Sequence, residues 1–205
     1  WEKDTIEVNK ITLVDNGVHA SRKKPQVLQT IQYLSNNADH VIIQTPYVIC
    51  NGYMYDVLQQ ISDHAKLQIV LNAVEKGSNP WGCTDYLNQK KKILKTGADV
   101  YELMNEYPVH TKAVLIDERL SVVGSYNLDM RSTYLDTELM LVIDSEKLNQ
   151  QIRATESDYM EKSKEVLANG HETEGAKYKK KILNRQKKIY YSVLRLLIRP
   201  LRQLL

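Results

Sequence analysis

His110 and Lys112 stand two residues apart, and Asp117, Gly124, Ser125 and Asn127 follow at offsets that fit H-x-K-x4-D-x6-G-S-x-N without a gap. An imidazole handles a proton, or attacks phosphorus, near neutral pH. An ammonium beside it neutralises a phosphoryl oxygen. In an extended strand, side chains two apart point the same way. His110 and Lys112 should therefore share a face with Val114 and Ile116, while Ala113 and Leu115 take the other. Ser125 and Asn127, again two apart, offer a hydroxyl and an amide to the same anion, and Gly124 would let backbone approach a ligand. A lone histidine would read as a satisfied residue inside a strand, but the accompanying residues argue for an anion pocket. Asp117 differs, because it falls at a hairpin turn where Asp favours local hydrogen bonds, so a structural role is expected. Asp129, Arg131 and Asp136 read as ion-pair or supporting residues.

The elements needed to position these groups follow along the chain. IEVNKITLV (6–14) alternates as a strand, and Val27, Leu28, Ile31, Leu34 and Ala38 mark an amphipathic helix over 25–38 that opens at Pro25. VIIQTPYV (41–48) and LQIVLNAV (67–74) read as buried strands around a helix carrying Met54, Val57, Leu58 and Ile61. After a loop over 75–83, a helix is expected to begin at Thr84 or Asp85 and close at Gly97, with a third strand at 99–104. HTKAVLID and LSVVGSYN form a hairpin, TELMLVID (137–144) forms another strand, and Ser145 caps a long helix that stops near Gly170. This is an α/β pattern, a mixed β-sheet flanked by helices.

The six-residue pattern resembles the signature of the phospholipase D superfamily, phosphodiesterases named for their His-Lys-Asp motif. TPYV (45–48), NAVEKGSNPWGCTD (72–85) and ILKTGADVYEL (93–103) resemble, in order and spacing, the C-terminal half of cardiolipin-synthase-like members, so the likeness covers roughly residues 10–165. It implies hydrolysis or transfer of a phospholipid phosphodiester through a phosphohistidine, without a metal or other cofactor. It also implies that Glu138 orients His110, and it places Tyr47, Thr84 and Asp85 as candidate rim residues whose plainer readings are core packing and helix capping. Members normally carry the motif twice, with the two histidines facing each other. One full copy is present here, and it looks like the second, which favours His110 as the acid/base partner of a nucleophile elsewhere. The partner is then a missing N-terminal motif-bearing half, or a second copy of the chain in a homodimer. An inactive fragment that binds phosphate or membrane is the non-enzymatic alternative.

At 205 residues, the chain suits one well-buried domain. The reading divides it into an α/β domain over 1–170 and a helical tail over 171–205. The net charge of +3 hides a split: residues 1–174 hold 18 Lys and Arg against 25 Asp and Glu, while residues 175–205 hold 10 basic and no acidic residues. The tail reads as a basic amphipathic helix, with Arg195, Arg199 and Arg202 on one side and Ile189, Val193, Leu196, Leu197 and Leu201 mostly on the other. Its apolar run is too short and charged to span a bilayer. An anionic membrane surface met by residues 176–205 and packing against the body are equally weighted, and nucleic acid is the weaker candidate. Cys50 and Cys83 form no C-x-x-C pair, so a reduced protein, peripheral on the cytoplasmic face of a membrane, is expected. Trp1 opens no secretory leader, and the chain reads as a piece of something longer.

Overall fold

The computed structural model describes residues 5–18 and 24–204; residues 1–4 and 19–23 of the expected domain and Leu205 of the expected tail lie outside the described residues. The elements are β1 (Lys10–Asp15), α1 (Gln26–Ser35), β2 (His40–Gln44), β3 (Val48–Ile49), α2 (Gly52–Ser62), β4 (Lys66–Asn72), α3 (Pro80–Lys95), β5 (Asp99–Leu103), β6 (Ala113–Ile116), β7 (Leu120–Gly124), β8 (Leu128–Asp129), α4 (Met130–Tyr134), β9 (Leu139–Asp144), α5 (Glu146–Glu161), β10 (Ser163–Val166), β11 (Glu172–Glu174) and α6 (Arg185–Leu197), then a 3-10 helix over Arg199–Leu204.

Nine strands form one mixed sheet in the order β1-β9-β7-β6-β2-β4-β5-β10-β11, and β3 pairs with β8 in a small second sheet. β2, β4 and β5 run parallel at the centre. Their side chains are buried on both faces, as their near-continuous apolar runs require. On one face, Leu28 and Ile31 of α1, Leu58 and Ile61 of α2 and Ile93 of α3 join a core with Val41, Ile43, Val114 and Ile116. On the other, Ile152, Tyr159 and Met160 of α5 pack against a cluster of Ile42, Val70, Tyr101 and Leu115. Val114 and Leu115 thus fall on opposite sides, as alternation predicts. The mixed α/β class holds, and so does the hairpin, which pairs Ala113–Ile116 with Val123–Leu120.

Three boundaries differ from the sequence reading. α3 begins at Pro80, not at Thr84 or Asp85: Asn79 Oδ1 accepts the N–H groups of Trp81 and Gly82 at 3.1 and 3.2 Å, and Pro80 fills the first turn. α5 does start from Ser145, whose hydroxyl accepts the Leu148 N–H at 3.3 Å, but it closes at Glu161, well short of Gly170. Residues beyond it turn back as the β10–β11 hairpin, with Gly170 left-handed at φ +84°. A domain boundary at 170/171 therefore falls inside a hairpin of the main sheet.

The tail helix exists and is docked. Tyr191, Leu194 and Ile198 are buried, and Arg195 Nε donates to Asn88 Oδ1 of α3 at 2.9 Å while Asn88 Nδ2 donates to the Arg195 carbonyl at 3.0 Å. Ile189, Val193, Leu196 and Leu197 stay more than half exposed. The helix packs on the body through a narrow seam while its broader apolar stripe faces outward. Among the described residues, no helix is long and apolar enough to cross a membrane. Cys50 and Cys83 are buried free thiols.

Candidate active site

His110 and Lys112 lie just before β6, not within a strand, although the ladder reaches as far as the Lys112 carbonyl, which accepts the Gly124 N–H at 3.3 Å. The approach to His110 is fixed by Asn72 at the end of β4. Its Oδ1 accepts the Val109 N–H at 2.8 Å, and its Nδ2 donates to the carbonyls of Val109 at 2.8 Å and Pro46 at 3.2 Å. Nothing in residue type alone marks this clamp, because an Asn at the end of a strand ordinarily signals a turn. Lys112 Nζ then folds onto the histidine, 2.7 Å from its Nδ1 and 2.9 Å from its carbonyl. The two side chains are therefore in direct contact.

A cleft of about 240 Å³ is lined by His110, Asn127, Tyr47, Asn79, Asp129 and Arg131, among others. Three loops bring these together. Tyr47 follows β2, and its ring lies on Gly82, where an added Cβ would stand 3.0 Å from Tyr47 Cγ. Asn79, unsuspected from sequence as a site residue, caps α3 and lines the cleft with Tyr47. The Asn-Pro pair at 79–80 was the available signal. Asp129 caps α4 by accepting the Ser132 N–H at 2.6 Å, and Arg131 pairs with Asp136 at 3.1 Å on the rim. Thr84 and Asp85 do not reach the cleft. Thr84 Oγ1 donates to the Pro80 carbonyl inside α3, and Asp85, fully buried, receives Arg202 from the C-terminal 3-10 helix.

Ser125 and Glu138 meet, but not at the histidine. Ser125 Oγ donates to Glu138 Oε2 and accepts the Leu139 N–H at 3.0 Å. No hydrogen bond joins Glu138 to His110, so the orienting contact implied by the resemblance is replaced by a Ser125–Glu138 pair whose charge acts on Lys112. Asn127 Nδ2 donates to Ser132 Oγ at 3.2 Å, and its Oδ1 is buried without a partner. Exchanging the two amide atoms would let Oδ1 accept the Ser132 hydroxyl. Gly124 serves the protein and not a ligand, because an added Cβ would stand 2.1 Å from the Leu139 carbonyl oxygen and 2.9 Å from Met140 Cα. Asp117 is at the far end of β6 from His110, left-handed at φ 46°, and its Oδ1 accepts the N–H groups of Asp39 and His40 at 3.0 and 2.9 Å. It ties the hairpin turn to β2. His64 and Lys66 repeat the two-residue spacing, but Leu71 stands where an Asp would complete the motif, and His64 Nε2 donates to the Ser35 carbonyl at 3.1 Å.

Burial, and then the Lys112 ammonium, hold the His110 imidazole below its usual range, which favours the neutral ring. Burial also lowers Lys112, although Glu138 and Asp129 pull it the other way. Burial pushes Asp129 up to about 6, against its bonds from Ser132. Burial and Asp129 raise Tyr47. The cleft thus holds an imidazole biased toward its neutral form, the Arg131 guanidinium and the amides of Asn79 and Asn127, with Asp129 and Asp136 also on its wall and the Lys112 ammonium against the imidazole. Among the described residues, no three His, Cys, Asp or Glu side chains converge as a metal site.

A family model described as "Cardiolipin synthase, PLD-like domain" matches residues 30–158. The chain belongs to this phospholipase D-like family. Cardiolipin synthase A of Klebsiella pneumoniae is 31% identical over 144 residues, which is 68% of this chain and 28% of that protein. Cardiolipin synthase A of Buchnera aphidicola is 28% identical over 141 residues. The chain therefore spans little more than a quarter of the curated relatives it matches. Among solved structures, the phosphatidylserine synthase of Haemophilus influenzae superposes with a TM-score of 0.64 at 14% identity, covering 96% of this chain and 48% of that one. Nuc of Salmonella typhimurium, a phospholipase D family member, superposes at 0.60 and 14% identity, covering 81% of this chain and 99% of that one. These structural likenesses show the fold.

Proposed function

We propose that this phospholipase D-like domain supplies one half of a two-histidine site that cleaves or transfers a phospholipid phosphodiester. The observation that carries the reading is convergence: His110, with Lys112 against its ring, and Asn127 from the next loop meet one cleft. A phosphodiester anion held between Lys112 and the Asn127 amide reverses the local field and raises the histidine toward its protonated form. An imidazole of the other motif, supplied by the missing half, attacks phosphorus and forms the N–P bond. The P–O bond to the leaving alcohol breaks, and protonated His110 gives its proton to that alkoxide. Neutral His110 then takes a proton from water or an acceptor alcohol, whose oxygen attacks phosphorus and releases the other imidazole. Ser125 and Glu138 steady the strand pair and the Lys112 charge. The missing half, the phospholipid substrate and a peripheral seat on a membrane follow from the cardiolipin synthase relatives and from the outward apolar stripe of α6 beside the basic residues of 176–205.

A second reading has the same chemistry in a homodimer, with His110 of each copy facing the other. It is favoured by the nearly complete coverage of Nuc by one such domain. Trapping the intermediate separates the two. With phospholipid carrying radiolabelled phosphorus, the half-site account expects an acid-labile histidine label only when a second motif-bearing half is present, and on that half. Label on His110 of this chain alone would overturn that account in favour of the homodimer, and no label in the reconstituted pair would overturn both.

A further inference from the structure

Beside the cleft, the carboxyl ends of β4 and β5 carry a second hollow, of about 740 Å³. Five lysines line it from three parts of the chain: Lys76 after β4, Lys162 at the end of α5, and Lys177, Lys179 and Lys181 after β11. Its walls are tied by backbone. The Lys177 N–H donates to the Glu161 carbonyl at 2.8 Å, and the Met104 N–H donates to the Lys162 carbonyl at 3.2 Å. Gly175 permits the close pass that aims the lysine segment, since an added Cβ there would stand 2.3 Å from the Glu161 carbonyl oxygen. Part of the charge is already answered: Lys162 pairs with Asp158 at 2.6 Å, and Lys177 pairs with Asp158 at 2.9 Å and Glu161 at 2.6 Å. Lys76 Nζ meets only the Glu106 carbonyl, at 3.1 Å, and among the described residues no carboxylate forms an ion pair with Lys76, Lys179 or Lys181. Glu106 is the one acidic residue in the lining.

Three unanswered ammoniums around an open volume make a site for a compact multivalent oxyanion, because Lys is a point charge that recognises phosphate without a fixed fork. The loop over 104–110 lines this hollow with Met104, Asn105 and Glu106 and enters the cleft at His110, so the two sites share a wall. Tyr107, between them, is 72% exposed, as an aromatic at a headgroup layer would be.

We propose that this hollow is a second phosphate-anion site, separate from the His110 cleft, which takes the phosphate of an anionic lipid headgroup or a free phosphate. It does not depend on catalysis at His110. The test measures binding of the full 205-residue chain to inorganic phosphate, and to phosphatidylcholine vesicles with and without phosphatidylglycerol. Lys179→Gln/Lys181→Gln should weaken binding roughly 25-fold, at about fivefold for each ammonium near an anionic surface. Lys76→Gln, from another part of the chain, should act in the same direction. Lys187→Gln/Lys188→Gln on α6 removes equal charge outside the hollow and should change binding of inorganic phosphate by less than about threefold. In a His110→Ala background, Lys179→Gln/Lys181→Gln should weaken binding by the same factor as in the wild-type chain, which keeps failure of this site distinct from failure of the phosphodiesterase reading. Loss confined to phosphatidylglycerol vesicles assigns a lipid headgroup, and loss with inorganic phosphate assigns a free phosphate. Equal losses of inorganic phosphate binding from the two double variants, or no loss from the first with either probe, would overturn the proposal.

Discussion

Removing Arg202 should loosen the C-terminal segment from the body at a measurable cost. Asp85 is fully buried, and Arg202 Nε and Nη2 donate to its two oxygens at 2.5 and 3.1 Å while Nη2 also reaches the Cys50 carbonyl at 2.9 Å. Arg202→Ala strands a buried carboxylate, for which roughly 3–5 kcal/mol of destabilisation is expected. For a domain of this length, about 2 °C is lost per kcal/mol, so the melting temperature should fall by about 6–10 °C. Asp85→Asn/Arg202→Ala removes the uncompensated charge as well and should be more stable than Arg202→Ala alone, giving a clear coupling in a double-mutant cycle. The assay is thermal and urea unfolding of the four proteins. Arg202→Ala within about 0.5 kcal/mol of wild type, or a double variant no better than the single, would refute the buried-pair argument.

Glu156 is buried with Oε2 unpartnered, and burial pushes its carboxyl up to about 7 from 4.5. The folded state then holds a proton that the unfolded chain releases, so stability falls as pH rises from about 4.5 through about 7. Glu156→Gln should gain up to about 3 kcal/mol at pH 8 and little at pH 5, as read by unfolding at both pH values. Lys112→Met removes one of the two influences that depress His110, so the imidazole should titrate at higher pH in an NMR titration; an unchanged midpoint would contradict the contact. Gly124→Ala places a Cβ against strand backbone and should cost about 1–3 kcal/mol in urea unfolding.

The residues that could do chemistry were legible because their spacing is a strand spacing: two apart means one face, and His110 with Lys112 met that rule even though the regular ladder begins at Ala113. The central strands were legible from their β-branched runs. What the sequence hid was mostly held by side chain to backbone bonds between distant segments. Asn72 clamps Val109 across 37 positions, Asp117 reaches Asp39 across 78, and Arg202 reaches Asp85 across 117. No local pattern records such partners. The β10–β11 hairpin was read as helix because SKEV and ETE are short, polar strands at the end of the sheet that carry little apolar alternation. Thr84 and Asp85 were good capping types in the wrong turn, and Asn79 with Pro80 outranked them.

The central claim is that His110 works in a cleft this chain does not complete by itself. The direct measurement is turnover of a chromogenic phosphodiester by the purified 205-residue chain beside His110→Ala. The half-site account predicts a folded chain with no turnover alone, and activity on adding a second motif-bearing half that His110→Ala cannot restore. Turnover by the chain alone, lost in His110→Ala, would contradict it and show that two copies complete the site.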